Sequence, residues 1–263
     1  MIQDFNYHTH TKRCGHAEGE DEEYVLAAIE NGYRMIGFSD HAPYRLGHDK
    51  NERMDKEEFE EYIQSIQHLQ EKYKDKITIR IGLECEFFKE QLDELLAYKQ
   101  RLDYIILGQH EAALRGYSFY EDNSDEAILH YADLIEEACD MHFPDIVAHP
   151  DLFMYATKKW TPACEKATRK ICESALRNHI PLEVNLNGLR YGKKQIGDEY
   201  RYTYPYREFW KIAEEYPIDV VYGLDAHTPN KYADKKCFEI VQNEILYGLK
   251  LNFISQLDIE KKL

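Results

Sequence analysis

The residues of this chain best able to do chemistry are imidazoles and carboxylates, and they recur at intervals along its whole length. His8-Thr9-His10 is followed by His16, then by Ser39-Asp40-His41, Glu84-Cys85-Glu86 and Gln109-His110-Glu111. Further on come Ala148-His149-Pro150-Asp151, Glu183-Val184-Asn185 and Gly223-Leu224-Asp225-Ala226-His227. Imidazole nitrogen and carboxylate oxygen suit Zn, Mn and Fe, whereas a structural Zn site calls for thiolates. On a strand, His8 and His10 point to the same face and can chelate one ion. So many groups exceed what a single ion can use, which implies a centre of two or three ions with a bridging carboxylate. His48, His68, His130, His142 and His179 fall on loops or helices and read as structural.

The elements that must position these groups are short apolar runs at residues 5–7, 35–38, 77–84, 104–109, 145–148, 181–185 and 219–222. Helical patterns alternate with them at 19–31, 55–74, 89–101, 124–141, 161–178, 206–215 and 233–247. Ser124 and Thr161 read as N-caps, and Gly32 as a helix stop. Regular βα alternation means a parallel sheet with helical crossovers. Seven such units favour a closed or distorted barrel, in one domain spanning 1–263, over a doubly wound open sheet. The imidazoles and carboxylates then gather at the C-terminal ends of the strands, where such barrels build their sites. The polar stretches 45–53, 115–123 and 188–204 read as loops over that end.

Composition narrows the partners. The chain has 263 residues, 43% hydrophobic, enough for a buried core. Its 49 acidic against 33 basic residues give a net charge of −16, which repels phosphate backbones and anionic lipid. A nucleic-acid polymer and a membrane are therefore not expected partners. The six Cys form no C-x-x-C pair, as in a reducing compartment, so a cytoplasmic location is expected and the thiols read as small buried hydrophobes.

The motifs H-T-H…C-G-H-A, S-D-H-A-P, G-L-E, A-H-P-D and G-L-D-A-H, in this order, resemble the PHP (polymerase and histidinol phosphatase) family. Together with E-V-N-x-x-G-L-R, they look like its histidinol-phosphate phosphatase branch, over residues 8–229. The resemblance implies a distorted (β/α)7 TIM-like barrel holding three divalent ions, Zn, Mn or Fe. It implies His8, His10, Glu84 and Asp225 on the first ion, and Glu84 shared with His110 and His149 on the second. His16, His41 and His227 would hold the third. Gln109 departs from the family, which often has a small residue and Val before this His.

The implied activity is hydrolysis of L-histidinol phosphate, a small phosphomonoester of histidine biosynthesis, by attack of a metal-bridging hydroxide. Arg190 is the expected bidentate phosphate clamp and catalytic donor, with Arg45 and Lys158 as further substrate-binding cations. Asp40 and Asp151 read either as general acids or as partners that orient an imidazole, and orientation is favoured for Asp40. Glu111, Glu121 and Asp122 are candidates to receive an ammonium or imidazole. The alternatives are a phosphoesterase acting on a nucleotide or phosphotyrosine, a metal-dependent C–N or C–O hydrolase, and a non-catalytic metal-binding module. The C–N hydrolase predicts a strand-borne Lys as metal bridge, where this chain has Glu84.

Overall fold

The computed structural model describes residues 3–44, 52–122 and 124–257. In chain order the elements are β1 (Phe5–Asn6), α1 (Asp21–Glu30), β2 (Met35–His41), α2 (Phe59–Tyr73), β3 (Thr78–Cys85), α3 (Leu92–Lys99), β4 (Tyr104–Leu107), α4 (Asp125–Asp140) and β5 (Ile146–Val147). They continue with α5 (Pro162–Asn178), β6 (Leu182–Asn185), the single turn α6 (Asn187–Arg190), β7 (Lys194–Ile196), β8 (Glu199–Arg201), α7 (Arg207–Ala213), β9 (Asp219–Gly223), α8 (Lys235–Ile240) and β10 (Asn252–Phe253). All seven apolar runs are strands, and all seven helical patterns contain a helix. Ser124 accepts from the Ala127 amide at 3.2 Å and Thr161 from the Cys164 amide at 3.4 Å, as helix caps do. Gly32 stops α1 with φ of 78°, a conformation open to glycine at little cost.

The main sheet runs β1-β2-β3-β4-β5-β6-β9-β10 with parallel pairing throughout. Strand order never reverses, so there is no switch point of the kind a doubly wound sheet requires. The sheet curls until its first strand meets β9. Thr9 bridges Ala226, with His10 N donating to Ala226 O at 3.0 Å and Ala226 N to His8 O at 3.1 Å. Below that bridge, side chains stitch the seam. Gln3 bonds both backbone groups of Tyr222, and Asn6 accepts from Leu224 N. Only the bottom of the seam is filled by β10, paired to β9.

Two apolar cores follow. The larger lies between sheet and helices, where Ile81, Leu83, Ile105, Leu107, Leu182 and Val184 meet residues such as Tyr62, Ile135 and Ile171. The smaller plugs the barrel interior with Phe5, Tyr7, Met35, Tyr104, Ile106, Ile146 and Val221. Tyr104 is its centre, donating its hydroxyl to Tyr7 O and Phe38 O. A Cβ at Gly37 or Gly82 would stand 2.4 or 2.6 Å from that side chain. The plug leaves the C-terminal mouth to polar residues. No helix among the described residues is long and apolar enough to cross a membrane.

Asp151 braces the loop after β5. One of its carboxylate oxygens accepts from the Tyr206 amide at 2.6 Å and from Trp210 Nε1 at 3.1 Å, at the start of α7. Fully buried there, it is a structural strut rather than a general acid. Burial raises its pKa from 3.8 to about 6, against the pull of those two donors. The folded state therefore holds the proton more tightly, and stability from this group is lost as pH rises from 4 through 6. Between pH 4 and 7, wild type should lose up to about 3 kcal/mol of unfolding free energy relative to Asp151→Asn. A pH-independent difference in denaturant unfolding would contradict this.

Candidate metal centre

Alternation along the strands explains which groups face the mouth. On β3, Leu83 and Cys85 pack outward while Gly82 and Glu84 point in. On β4, Ile105 and Leu107 are outward, so Ile106 and then Gly108 are inward. Gly108 is needed: a Cβ there would lie 1.8 Å from Glu84 Oε1. The same pattern on β6 and β9 sets Glu183 against Gly223, where a Cβ would come within 1.6 Å of the carboxylate. Thr9 turns away toward Tyr232, which leaves His8 and His10 on one side with ring centroids 5.1 Å apart.

The structure brings all nine expected ligand residues together. Glu84 Oε2 lies 3.2 Å from His8 Nε2, 3.3 Å from His10 Nε2 and 3.3 Å from His41 Nδ1. Its other oxygen lies 2.9 Å from His149 Nε2 and 3.7 Å from His110 Nε2. One carboxylate thus faces five imidazoles, three on one oxygen and two on the other. Asp225 Oδ1 approaches His10 Nε2 at 3.1 Å and His227 Nδ1 at 3.2 Å, and His227 Nε2 meets His16 Nε2 at 2.9 Å. His149 and Asp225 have φ of 30° and 47°, a costly region for side chains that cannot be glycine.

Charge in the cluster is sorted by neighbours. Burial works against the charged form of His8, yet Glu183, Asp225 and Glu84 outweigh it and raise its pKa to about 10. Burial outweighs the pull of Glu84 and, helped by Arg53, lowers His110 to about 3, so this ring is neutral, the form that ligates. Glu84 and Asp225 are deeply buried, yet the surrounding imidazoles hold both carboxyls well below their ordinary range.

These residues fit divalent ions. Ligand atoms of His8, His10 and Glu84 lie within 4.8 Å of one another, as do those of His16, His41 and His227, and of His41, Glu84 and His110. A fourth such group joins Cys14 to His10 and His227. Both ring nitrogens of His10 and Asp225 Oδ1 are buried and have no well-aligned hydrogen bond among the described residues, although His10 Nε2 and Asp225 Oδ1 lie 3.1 Å apart. Buried lone pairs left facing one another in this way are costly unless a cation satisfies them.

Other expectations need correction. Asp40 is fully buried behind His10, bonded to Thr11 Oγ1 and the His41 amide, with one oxygen 3.6 Å from His10 Nδ1. It has no route to a leaving group, which removes the general-acid reading and leaves the favoured one, a residue that positions an imidazole. Arg190 is no bidentate clamp: Nε is bonded to Asp234 and Nη1 to Leu224 O at 2.6 Å, which ties down the turn that carries Asp225. Only Nη2 is buried without a partner. Lys158 is exposed, and its backbone packs under Gly197 of the β7–β8 hairpin. Arg45 lies outside the described residues.

Several contributors escaped sequence reasoning. Glu183 Oε1 lies 2.8 Å from His8 Nδ1, and Oε2 accepts from the His149 amide and Asn185 Nδ2. Strand alternation on Glu183-Val184-Asn185 was the available signal. Glu183→Gln should lower metal affinity about 10- to 100-fold, by freeing the His8 ring, with the fold intact. Competition against a chromogenic chelator measures this, and unchanged affinity would contradict it. Glu86, two residues beyond Glu84, points instead at the His110 and Glu111 amides and at Arg53 Nη2. Its pKa is raised to about 7, mainly by burial. Tyr120 stacks on His110 at 5.7 Å, with Tyr155 edge-on to it, so some of the 21 Tyr form a wall of the mouth.

Two cavities of about 280 and 300 Å3 open onto the cluster. One is bounded by Asn187, Tyr191, Asp225 and His227, the other by Glu52, Arg53, Glu111 and Ser118. A larger hollow of about 770 Å3, between β1, β9 and β10, contains no imidazole and a single carboxylate, Asp4, so it is not where this chemistry resides.

The PHP domain family matches residues 6–187. A Deinococcus radiodurans relative named as a probable histidinol-phosphatase is 29% identical, over 85% of this chain and 86% of its own. The histidinol-phosphatase of Bacillus subtilis is 26% identical, over 84% of this chain and 92% of its own. Among solved structures, the histidinol phosphate phosphatase of Lactococcus lactis, complexed with Zn, L-histidinol and phosphate, has a TM-score of 0.68 at 18% identity and covers 95% of each chain. At that identity the likeness is one of fold.

Proposed function

The chain belongs to the PHP domain family, and on that premise we propose that it is a metal-dependent phosphomonoesterase that hydrolyses L-histidinol phosphate to L-histidinol and phosphate. The observation that carries the reading is Glu84, whose two oxygens face separate sets of imidazoles at the barrel mouth, as a carboxylate shared by two ions must. In this reading His8, His10, Glu84 and Asp225 hold one divalent ion. Glu84, His110 and His149 hold a second, and His16, His41 and His227 a third. Zn, Mn and Fe all match these donors, and Zn accompanies the Lactococcus lactis protein.

Bound divalent ions supply an ionised water near neutral pH and offset charge on the phosphoryl oxygens. The chain's own residues do the rest. Glu183 and Asp40 fix the rings of His8 and His10, and Glu86 anchors the loop that carries His110. Arg190 Nη2 and Arg53 Nε are the guanidinium donors near the mouth left without a protein partner among the described residues. The names of the two sequence relatives support the substrate, and the chain spans most of each.

Metal-replete protein should release phosphate from L-histidinol phosphate with kcat/KM at least about tenfold above that for nucleoside monophosphates or phosphotyrosine. A smaller preference would contradict the substrate assignment. Measurable hydrolysis of amides or lactones with none of phosphomonoesters would contradict the reaction class.

A further inference from the structure

The cavity beside His16, His41 and His110 is lined by charges of both signs. Arg53 supplies the positive one. Its side chain is 9% exposed, stacked on Tyr44 with its guanidinium carbon 4.5 Å from the ring centroid, and one Nη2 bond of 3.1 Å goes to Glu86. Its Nε is buried and has no partner among the described residues. An unspent guanidinium donor beside the ligand histidines suits a phosphoryl oxygen.

Glu111 and Glu52 supply the negative side. Glu111 is held rigidly. Its residue bridges Ser118 across the loop, its own amide is bonded to Glu86, and Phe119 N closes the loop onto His110 O. Its backbone is therefore fixed, and its carboxylate lines the same cavity as His110, next to it in the chain. A carboxylate so close to a phosphate-binding centre repels the substrate's anionic end unless the other end is cationic. Specificity built on such a repulsive element rejects esters that bring no positive charge.

We propose that this cavity reads the charge of the ester's organic half. Glu111, with Glu52 at the rim, takes the ammonium or imidazolium of the substrate, while Arg53 takes a phosphoryl oxygen. The inference rests on the phosphatase reading above and names the residues that give it selectivity. It excludes nucleotides, whose organic half offers no cation at neutral pH and often further phosphates.

The test is Glu111→Gln, isosteric and only partly buried. Titration calorimetry of L-histidinol into metal-loaded protein should show affinity at least about tenfold weaker than wild type. The kcat/KM ratio of L-histidinol phosphate to p-nitrophenyl phosphate should fall by a similar factor. Arg53→Gln should raise KM for both esters. Unchanged L-histidinol affinity would overturn the proposal, as would a parallel loss on both esters in Glu111→Gln, since that would mean Glu111 acts only by supporting His110. A wild-type protein that binds L-histidinol yet hydrolyses no phosphomonoester would instead refute the phosphatase reading, with the titration still deciding the role of Glu111.

Discussion

Glu84→Gln is expected to cut kcat/KM for phosphate release by about a thousandfold or more and to lower bound metal per chain. Gln conserves volume and hydrogen-bonding reach, so packing barely changes. Charge and donor polarity do change. The carboxylate now accepts from, or shares a cation with, five imidazole nitrogens between 2.9 and 3.7 Å away. An amide puts an N–H pair on one side, facing ring nitrogens that need an acceptor or a metal. It also removes the negative charge that His8 and His41 stabilise so strongly that the buried Glu84 carboxyl stays ionised. Elemental analysis beside steady-state kinetics measures both effects. Full metal content with full activity would remove Glu84 from the centre.

Gly108→Ala should be nearly as damaging, although it adds one methyl group and replaces no titratable residue. That methyl would stand 1.8 Å from Glu84 Oε1 and 2.6 Å from its carboxyl carbon, far inside contact distance. Gly108 has no left-handed φ, so the backbone itself accepts alanine, and the entropy term slightly favours it. The strain falls on Glu84, which must leave His149 or push β3 from β4. Activity should drop about a hundredfold or more, while circular dichroism stays that of wild type. A variant of wild-type activity would mean that the position of Glu84 is not critical.

Much of this was legible beforehand because single residues carried it. Apolar runs with an imidazole or carboxylate at or just past their C-terminal ends marked the barrel strands, and Ser124 and Thr161 marked helix starts. The ligand positions follow from the strand ends, since a parallel barrel collects those ends in one place. The β7–β8 hairpin was not legible: Lys194-Gln195-Ile196 and Glu199-Tyr200-Arg201 are largely exposed on both faces and carry no alternation. Arg190 was correctly placed near the mouth, but its guanidinium is spent on Asp234 and Leu224 O, partners supplied by distant segments. Arg53 carries no sequence signal for the same reason, since its contact with Glu86 is tertiary, whereas strand alternation marks Glu183 without showing that it holds His8. The net charge of −16 does not conflict with an anionic substrate. Several of the acids, Glu84, Glu183 and Asp225 among them, are in the barrel mouth, turned toward imidazoles.

This cluster of imidazoles and carboxylates should work only when it holds divalent ions. The direct test is the rate of phosphate release from L-histidinol phosphate before and after exhaustive chelation, then after readdition of Zn, Mn or Fe. Activity should disappear on chelation and return with at least one of these ions. Undiminished hydrolysis by metal-free protein would contradict it.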